Sequence, residues 1–391
     1  MKATTNIFSD QIFERGIERI YPSKEELDKF LAEGNKLKIY LGLDPTGPTL
    51  HIGNGSVLLQ LKHLQDLGHE IVILYGDFTA MIGDPTDKLE TRKQLSLEET
   101  KQNCSAYREQ IGRVLDLEKI TFTFNNDWLG QMSFADVIEL TSEFTVGQMI
   151  ERDMFQERIK KGEPIYIHEF LYPLMQGYDS VALGVNAEIG ANDQTFNMLA
   201  GRTMLKRRGK EKFVITTKLL VDPTGKKMGK SEGNMVALSD EPADMYGKVM
   251  SWPDSLMPLA FEICTEVSAP EVEEVLAGNP RDAKMRLAKE IVATFSSVEA
   301  AQAAEADFIS KFQKQEIPAD IQEIKTGAGE LLRDILVNNN LLSSNSEWKR
   351  LVEGGGVTVL PEAKIDSPDY VVTEPITIKV GKKNFYRILV D

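Results

Sequence analysis

The stretch Tyr40–Asn54, YLGLDPTGPTLHIGN, leaves this chain few folds to choose from. Ile39 to Leu43 is a short apolar run of β-formers, and Asp44-Pro45 stops it. Thr46, Gly47 and Pro48 make a turn, and His51-Ile52-Gly53-Asn54 opens an amphipathic run ending near Gly68. Strand, tight polar turn and helix start form the first βα corner of an open parallel sheet. Such sheets bind ligands beyond the carboxyl ends of their strands. The turn offers hydroxyl and backbone donors at a positive helix N-terminus, a setting suited to a polyphosphate. The fold class expected is α/β: a Rossmann-like parallel sheet, then an α-helical domain and a small α+β domain.

Length and charge narrow the rest. A chain of 391 residues has room for roughly two to three domains, each with its own core. No apolar run approaches the ~20 residues needed to span a bilayer. The opening MKATTNIFSD lacks the basic-then-apolar order of a signal peptide. Cys104 and Cys264 form no CxxC pair, which argues against a zinc ribbon or disulfide scaffold and fits a reducing cytoplasm. The net charge of −15 argues against a bulk nucleic-acid binder. Residues 325–391 are balanced in charge, so the excess lies in residues 1–324, and the tail can still meet RNA through local basic patches.

Residues 1–37 read as helical, with Ile12, Phe13, Ile17 and Ile20 at helical spacing and Pro22 as a stop. A second strand, EIVILYGD, ends in Gly76-Asp77-Phe78-Thr79 at the same sheet face as His51. The loop after it carries Asp84, Lys88 and Arg92. A long helix, the strand KITFTF and a mainly helical stretch from Trp128 to Glu169 follow. Then come the helix EFLYPLMQGYDSVAL, the apolar run VNAEIGANDQ, another helix and the strand KFVITTKLL. Beyond Val236 the pattern is helical to about Phe312, and KQEIPADIQ reads as a linker.

The second chemical signal is Lys226-Lys227-Met228-Gly229-Lys230-Ser231, in a loop after a strand. Mobile ammonium groups at this spacing can close on a triphosphate and neutralise charge as pyrophosphate departs. A lysine-rich loop alone is most often a solvated turn. A third signal is Tyr172, Gln176 and Asp179, at i, i+4 and i+7 on one helix face, where a core helix would carry Leu or Val. Together they read as a polar pocket wall; the other reading is a partly exposed polar face.

HIGN resembles the HIGH signature of class I aminoacyl-tRNA synthetases, and Lys226–Ser231 is similar to their KMSKS signature, with Gly229 in its third position. The two occur in the family's order, each at a strand end. The form GxDPTxxxLHxG resembles bacterial-type tyrosyl-tRNA synthetases, and the likeness extends over nearly the whole chain. It implies ATP as substrate with Mg2+ on the triphosphate and no tightly bound cofactor or protein-held metal. It implies phosphate contacts from Thr46, His51, Lys88, Arg92, Lys227, Lys230 and Ser231, and nucleotide contacts from Asp44, Gly53, Asn54 and Asp193, with Asn54 replacing the family's second His. Tyr172, Gln176 and Asp84 would hold the ammonium of tyrosine, Tyr40 and Asp179 its phenol hydroxyl, and Gln194 would contact substrate. A pocket built to pair a hydroxyl rejects the analogue lacking it, the tyrosine enzymes being a well-known instance of that rule.

The resemblance also implies a catalytic domain at 1–236 with a dimer-forming insertion near 125–170. An α-helical anticodon-binding domain at 237–318 and a linker at 319–327 would follow, and then an S4-like RNA-binding domain at 328–391. In that last domain Lys349, Arg350, Lys382, Lys383 and Arg387 can converge on one face. The expected partners are L-tyrosine, ATP, tRNA of the tyrosine type and a second copy of the chain; no membrane is expected, and the cytoplasm is the expected setting. Two other readings stay open, a tryptophan-specific relative and a non-catalytic RNA-binding paralogue.

Overall fold

The computed structural model describes residues 13–84, 97–221, 235–314, 321–327, 329–339, 341–360, 363–381 and 384–390. These fall into two compact units, 1–305 and 306–391. The first is built on β1 (Ile17–Tyr21), α1 (Lys24–Ala32), β2 (Lys38–Leu43), α2 (Ile52–Asp66), β3 (Glu70–Tyr75), α3 (Leu97–Ile111) and β4 (Ile120–Phe124). After the short helices α4 (Asn126–Leu129), α5 (Phe134–Ser142), α6 (Val146–Ile150) and α7 (Asp153–Lys161) come α8 (Leu171–Leu183), β5 (Ala187–Ala191), α9 (Thr195–Arg207) and β6 (Phe213–Thr217).

The six strands lie in the order β1-β6-β5-β2-β3-β4. Strands β2 to β6 are parallel and only β1 runs against its neighbour. The chain steps outward from β2 through β3 to β4, then crosses to the other flank for β5 and β6. Strands β2 and β5 are therefore neighbours at the reversal point, where a crevice opens beyond their carboxyl ends. In β3, residues Ile71 to Tyr75 are all buried, as a strand covered on both faces requires.

The N-terminal segment departs from the expected helix. Ile17 and Ile20 have helical spacing, yet both lie on β1, with Ile20 opposite Ile215 of β6. Pairing with a strand distant in the chain decides the conformation that local spacing left ambiguous. Among the described residues the first helix is α1, where the Ser23 side chain accepts a hydrogen bond from the Glu26 backbone. Ile12 lies outside the described residues.

Beyond residue 235 the chain continues as α10 (Pro242–Met250), α11 (Met257–Cys264), α12 (Ala269–Ala277), α13 (Pro280–Phe295) and α14 (Val298–Lys314). The expected boundary near Val236 does not coincide with a break in packing. Helix α11 packs on α2, and Gly55 of α2 leaves room for Phe295: a Cβ there would sit 2.7 Å from that ring. Arg15 donates to the carbonyls of Phe261 (2.7 Å), Glu262 (2.7 Å) and Val267 (2.5 Å), tying the chain start to the end of α11.

The second unit has β7 (Gln322–Thr326), β8 (Glu330–Leu331), α15 (Leu332–Asn338), α16 (Asn345–Glu353), β9 (Val357–Val359), β10 (Ala363–Lys364), β11 (Val371–Val372), β12 (Ile376–Val380) and β13 (Asn384–Val390). Five of these strands form a sheet in the order β10-β9-β12-β13-β7. Trp348 is fully buried in its core and donates Nε1–H to the Pro368 carbonyl at 2.7 Å.

Candidate active site

The corner after β2 is pinned from α3. The Gln110 side chain donates to the Pro48 carbonyl (2.9 Å) and accepts from the Leu50 backbone (2.8 Å), and Asn103 donates to the Pro45 carbonyl (2.8 Å). His51 is the N-cap of α2. Its Nδ1 accepts from the Asn54 backbone (3.2 Å), and Asn54 Oδ1 accepts from the His51 backbone (3.0 Å). This capping box gives Asn54 a local reason to stand where the resembled signature has His. Because Nδ1 is the acceptor, the neutral ring carries its proton on Nε2, a donor suited to a phosphate oxygen.

The chain returns to this corner after the lysine-rich loop. Ile52 N–H donates to the Val236 carbonyl and Leu238 N–H to that of Leu50, each at 2.9 Å, and His51 bridges Ala237. Residues 222–234, with Lys227, Lys230 and Ser231, lie outside the described residues, as do Lys88 and Arg92 within 85–96.

A cavity of about 380 Å³ opens at the crevice between β2 and β5. From the first corner it takes Tyr40, Asp44, Thr46, His51, Gly53 and Asn54. The β3 loop and α8 bring Asp84, Tyr172, Gln176 and Asp179, and the turn after β5 brings Asp193 and Gln194. Every described residue expected to touch ATP or tyrosine therefore borders one space.

The carboxylates in this wall are held by specific donors. Asp44 accepts from Tyr172 Oη at one oxygen and Thr79 Oγ1 at the other, both at 2.7 Å. Asp179, 2 % exposed, accepts from Trp128 Nε1 (2.8 Å) and Asn125 Nδ2 (3.3 Å). Burial pushes the Asp179 carboxyl far above the usual carboxylate range, while these two donors pull it back. Asp84 accepts from Gln194 Nε2 at 2.7 Å and lies 3.8 Å from the buried guanidinium of Arg152. Tyr40 is sealed from water, which raises its hydroxyl far above the ordinary tyrosine value. That hydroxyl lies 3.1 Å from Ser180 Oγ and 3.3 Å from the Gln176 carbonyl.

Sequence reasoning did not single out Asn125, Trp128, Arg152, Ser180, Glu188 or Lys212 as site residues, nor Thr79 beyond its strand-end position. Asn125 and Trp128 follow β4, so the parallel register β3–β4 carries Asn125 to the cavity edge and Trp128 to hydrogen-bond distance of Asp179. Arg152 caps α7 in the stretch expected to form the dimer. Polar residues directly after a strand are the one signal that could have found Asn125.

In the second unit, Lys349 and Arg350 are exposed on α16, with Lys349 3.8 Å from Glu353. Arg387, expected to share a basic face with them, is bonded to Glu323 of β7 at 2.9 Å. The parallel β13–β7 register sets the two side by side, and Coulomb attraction does the rest. Lys382 and Lys383 lie outside the described residues.

Residues 32–313 match the family model described as tRNA synthetases class I (W and Y). The chain is 45% identical to a tyrosine–tRNA ligase of Carboxydothermus hydrogenoformans, with 97% of each chain covered. It is 43% identical to the Thermotoga maritima tyrosine–tRNA ligase, covering 97% of this chain and 96% of that one. Among solved structures it resembles a C-terminally truncated mitochondrial tyrosyl-tRNA synthetase of Coccidioides posadasii. The TM-score is 0.62 at 26% identity, over 77% of this chain and 90% of that one. A corner that aims a histidine into a polar crevice at a sheet's reversal point, and a sequence match across sheet and helices alike, lead to one assignment: the chain belongs to the class I tRNA synthetases of the tryptophan and tyrosine type.

Proposed function

We infer that this protein is a tyrosine–tRNA ligase, and the observation that carries the reading is the single cavity bordered both by the His51 corner and by Tyr40, Asp84, Gln176 and Asp179. The tyrosine carboxylate attacks the α-phosphorus of ATP, and the bond to the β,γ-diphosphate breaks to release pyrophosphate. A ribose hydroxyl at the 3′ end of tRNA then attacks the carbonyl carbon of tyrosyl-adenylate, releasing AMP. Two anions must meet in the first step, so the protein's work is positioning and charge stabilisation.

His51 Nε2–H and Thr46 donate to the phosphates, and Lys88, Arg92, Lys227, Lys230 and Ser231 supply further contacts as pyrophosphate leaves. Asp44, Gly53, Asn54 and Asp193 border the nucleotide. Mg2+ arrives on the triphosphate as part of the substrate. Tyr172, Gln176 and Asp84 receive the ammonium, Gln194 lies beside them, and Tyr40 with Asp179 pairs the phenol hydroxyl. Without that hydroxyl the buried Asp179 would lose one partner and keep only Trp128 and Asn125 among the described residues, which disfavours phenylalanine. The tryptophan relative is the weaker reading, because a polar wall at Tyr40 and Asp179 suits a phenol better than an indole.

Two copies of the chain form the working unit through the insertion near 125–170. Its helices and the turn after them carry apolar side chains in the open, among them Phe134 (79 % exposed), Val146 (70 %) and Ile167 (81 %). Residues 237–318 and 328–391 grip tRNA of the tyrosine type, in the cytoplasm where translation runs. Amino-acid-dependent ATP–pyrophosphate exchange without tRNA tests the reading, with tyrosine, phenylalanine and tryptophan offered in parallel. Exchange with tyrosine alone is expected. Exchange with tryptophan, or none from folded protein that binds tRNA, would replace it by one of the other two readings.

A further inference from the structure

Beside Gln176 lie an ammonium and a carboxylate that water does not reach: Lys212 is 0 % exposed and Glu188 1 %. All three donors of Lys212 Nζ are taken, by Ser180 Oγ (2.6 Å), the Met198 carbonyl (3.1 Å) and Glu188 Oε2. The other carboxylate oxygen, Glu188 Oε1, accepts from Gln176 Nε2 at 3.0 Å. Gly201 leaves the space this cluster needs, since a Cβ there would sit 2.5 Å from Ser180 Oγ and 2.6 Å from Lys212 Nζ.

An ionised carboxylate accepts and never donates, so Glu188 can take only the NH2 end of the Gln176 amide. The carbonyl end is then the end left for the cavity, and an acceptor oxygen is what an ammonium needs. A lone carboxylate sealed from water is driven to protonate, and a protonated one could either donate to the carbonyl end of an amide or accept from its NH2 end. Lys212, in contact with Glu188, removes that ambiguity. We propose that Lys212 and Glu188 are positioning residues for the amino group of tyrosine, fixing the Gln176 amide with its oxygen toward the substrate ammonium. The proposal rests on the tyrosine reading above.

Glu188→Gln tests it with almost no change of shape. Lys212 only donates, so it claims the carbonyl end of the introduced amide and turns the new NH2 toward Gln176. The Gln176 amide must then reverse and present its own NH2 to the ammonium. The readouts are KM and kcat in tyrosine-dependent exchange, and inhibition by 3-(4-hydroxyphenyl)propanoate, which is tyrosine without its amino group. KM for tyrosine should rise at least about tenfold with kcat held within about twofold, and the inhibition constant of the analogue should stay within about twofold. The double variant E188Q/K212M frees the introduced amide to rotate, so KM for tyrosine should recover to within about fivefold of the parent.

An unchanged KM for tyrosine in E188Q, or equal weakening of tyrosine and the analogue, would overturn the proposal, as would a double variant no better than the single one. Read alone, should E188Q not fold, the double variant must still weaken tyrosine more than the analogue. Failure of the parent protein to exchange with tyrosine at all would count against the ligase reading instead.

Discussion

Trp128→Phe removes one atom group that matters, the indole N–H that meets Asp179 Oδ1 at 2.8 Å. Phenylalanine keeps an aromatic ring to pack beside Tyr172 and Met175. The Asn125 amide, at 3.3 Å from the other oxygen, would then be the remaining donor on Asp179 among the described residues. A hydrogen bond to a charged group contributes about 1.5–3 kcal/mol, and Asp179 is too buried for solvent to replace it.

The pH dependence has a definite sign. Burial raises the Asp179 carboxyl, so the native protein holds its proton to higher pH than the unfolded chain does. Stability from this group therefore falls as pH rises from the ordinary carboxylate range through the raised value. Trp128 opposes that rise, so losing it extends the window upward. W128F should cost little stability in acid and the full about 1.5–3 kcal/mol once Asp179 is ionised in both proteins. If ionised Asp179 receives the phenol hydroxyl, kcat/KM for tyrosine falls by about 10- to 100-fold, with KM for ATP unchanged. Urea unfolding and pyrophosphate exchange from pH 5 to 9 read both effects. A stability loss that does not grow with pH, together with an unaltered tyrosine KM, would refute the role given to the indole donor.

Two further outcomes are expected. Asn54→Ala breaks the capping box at His51, which should lower the unfolding free energy by about 0.5–2 kcal/mol in urea and raise the KM for ATP alone; an unaltered ATP KM would confine Asn54 to capping. Phe134→Asp with Ile167→Asp should convert a particle of twice 43.8 kDa into one of 43.8 kDa in sedimentation equilibrium. Parent protein already at the smaller mass, or a variant that keeps the larger one, would remove the insertion from the interface.

The corner from Ile39 to Asp66 was legible because everything that shapes it is local: β-formers, an Asp-Pro stop, turn residues, then a helical apolar period. The face Tyr172–Gln176–Asp179 was legible for the same reason, since one helix carries all three. What stayed hidden depends on strand register. Ile20 faces Ile215 only because β1 closes the sheet against β6, and no spacing within residues 13–21 announces it. Glu188 sat inside a run read only as apolar, and Lys212 at the first position of a run read as strand, where a lysine is usually solvated. Their meeting needs β5 beside β6 and a glycine at 201. The pairing of Arg387 with Glu323 stayed hidden because β7, which brings Glu323, lay in a segment read as linker.

The packing of α11 and Phe295 on α2 bears on how this protein can be taken apart. The helix whose first turn aims His51 at the cavity is shaped on its other flank by residues from beyond 236. A chain cut there would lose the backbone pairing of Leu238, strip Arg15 of its carbonyl partners and bare the apolar flank of α2 to water. The chemistry is thus not a detachable module with helices appended. Anyone seeking a minimal activating fragment, or a place to graft a foreign domain, should keep sheet and helices together and look past Lys314, the end of the helix α14 in which the division near residue 305 falls.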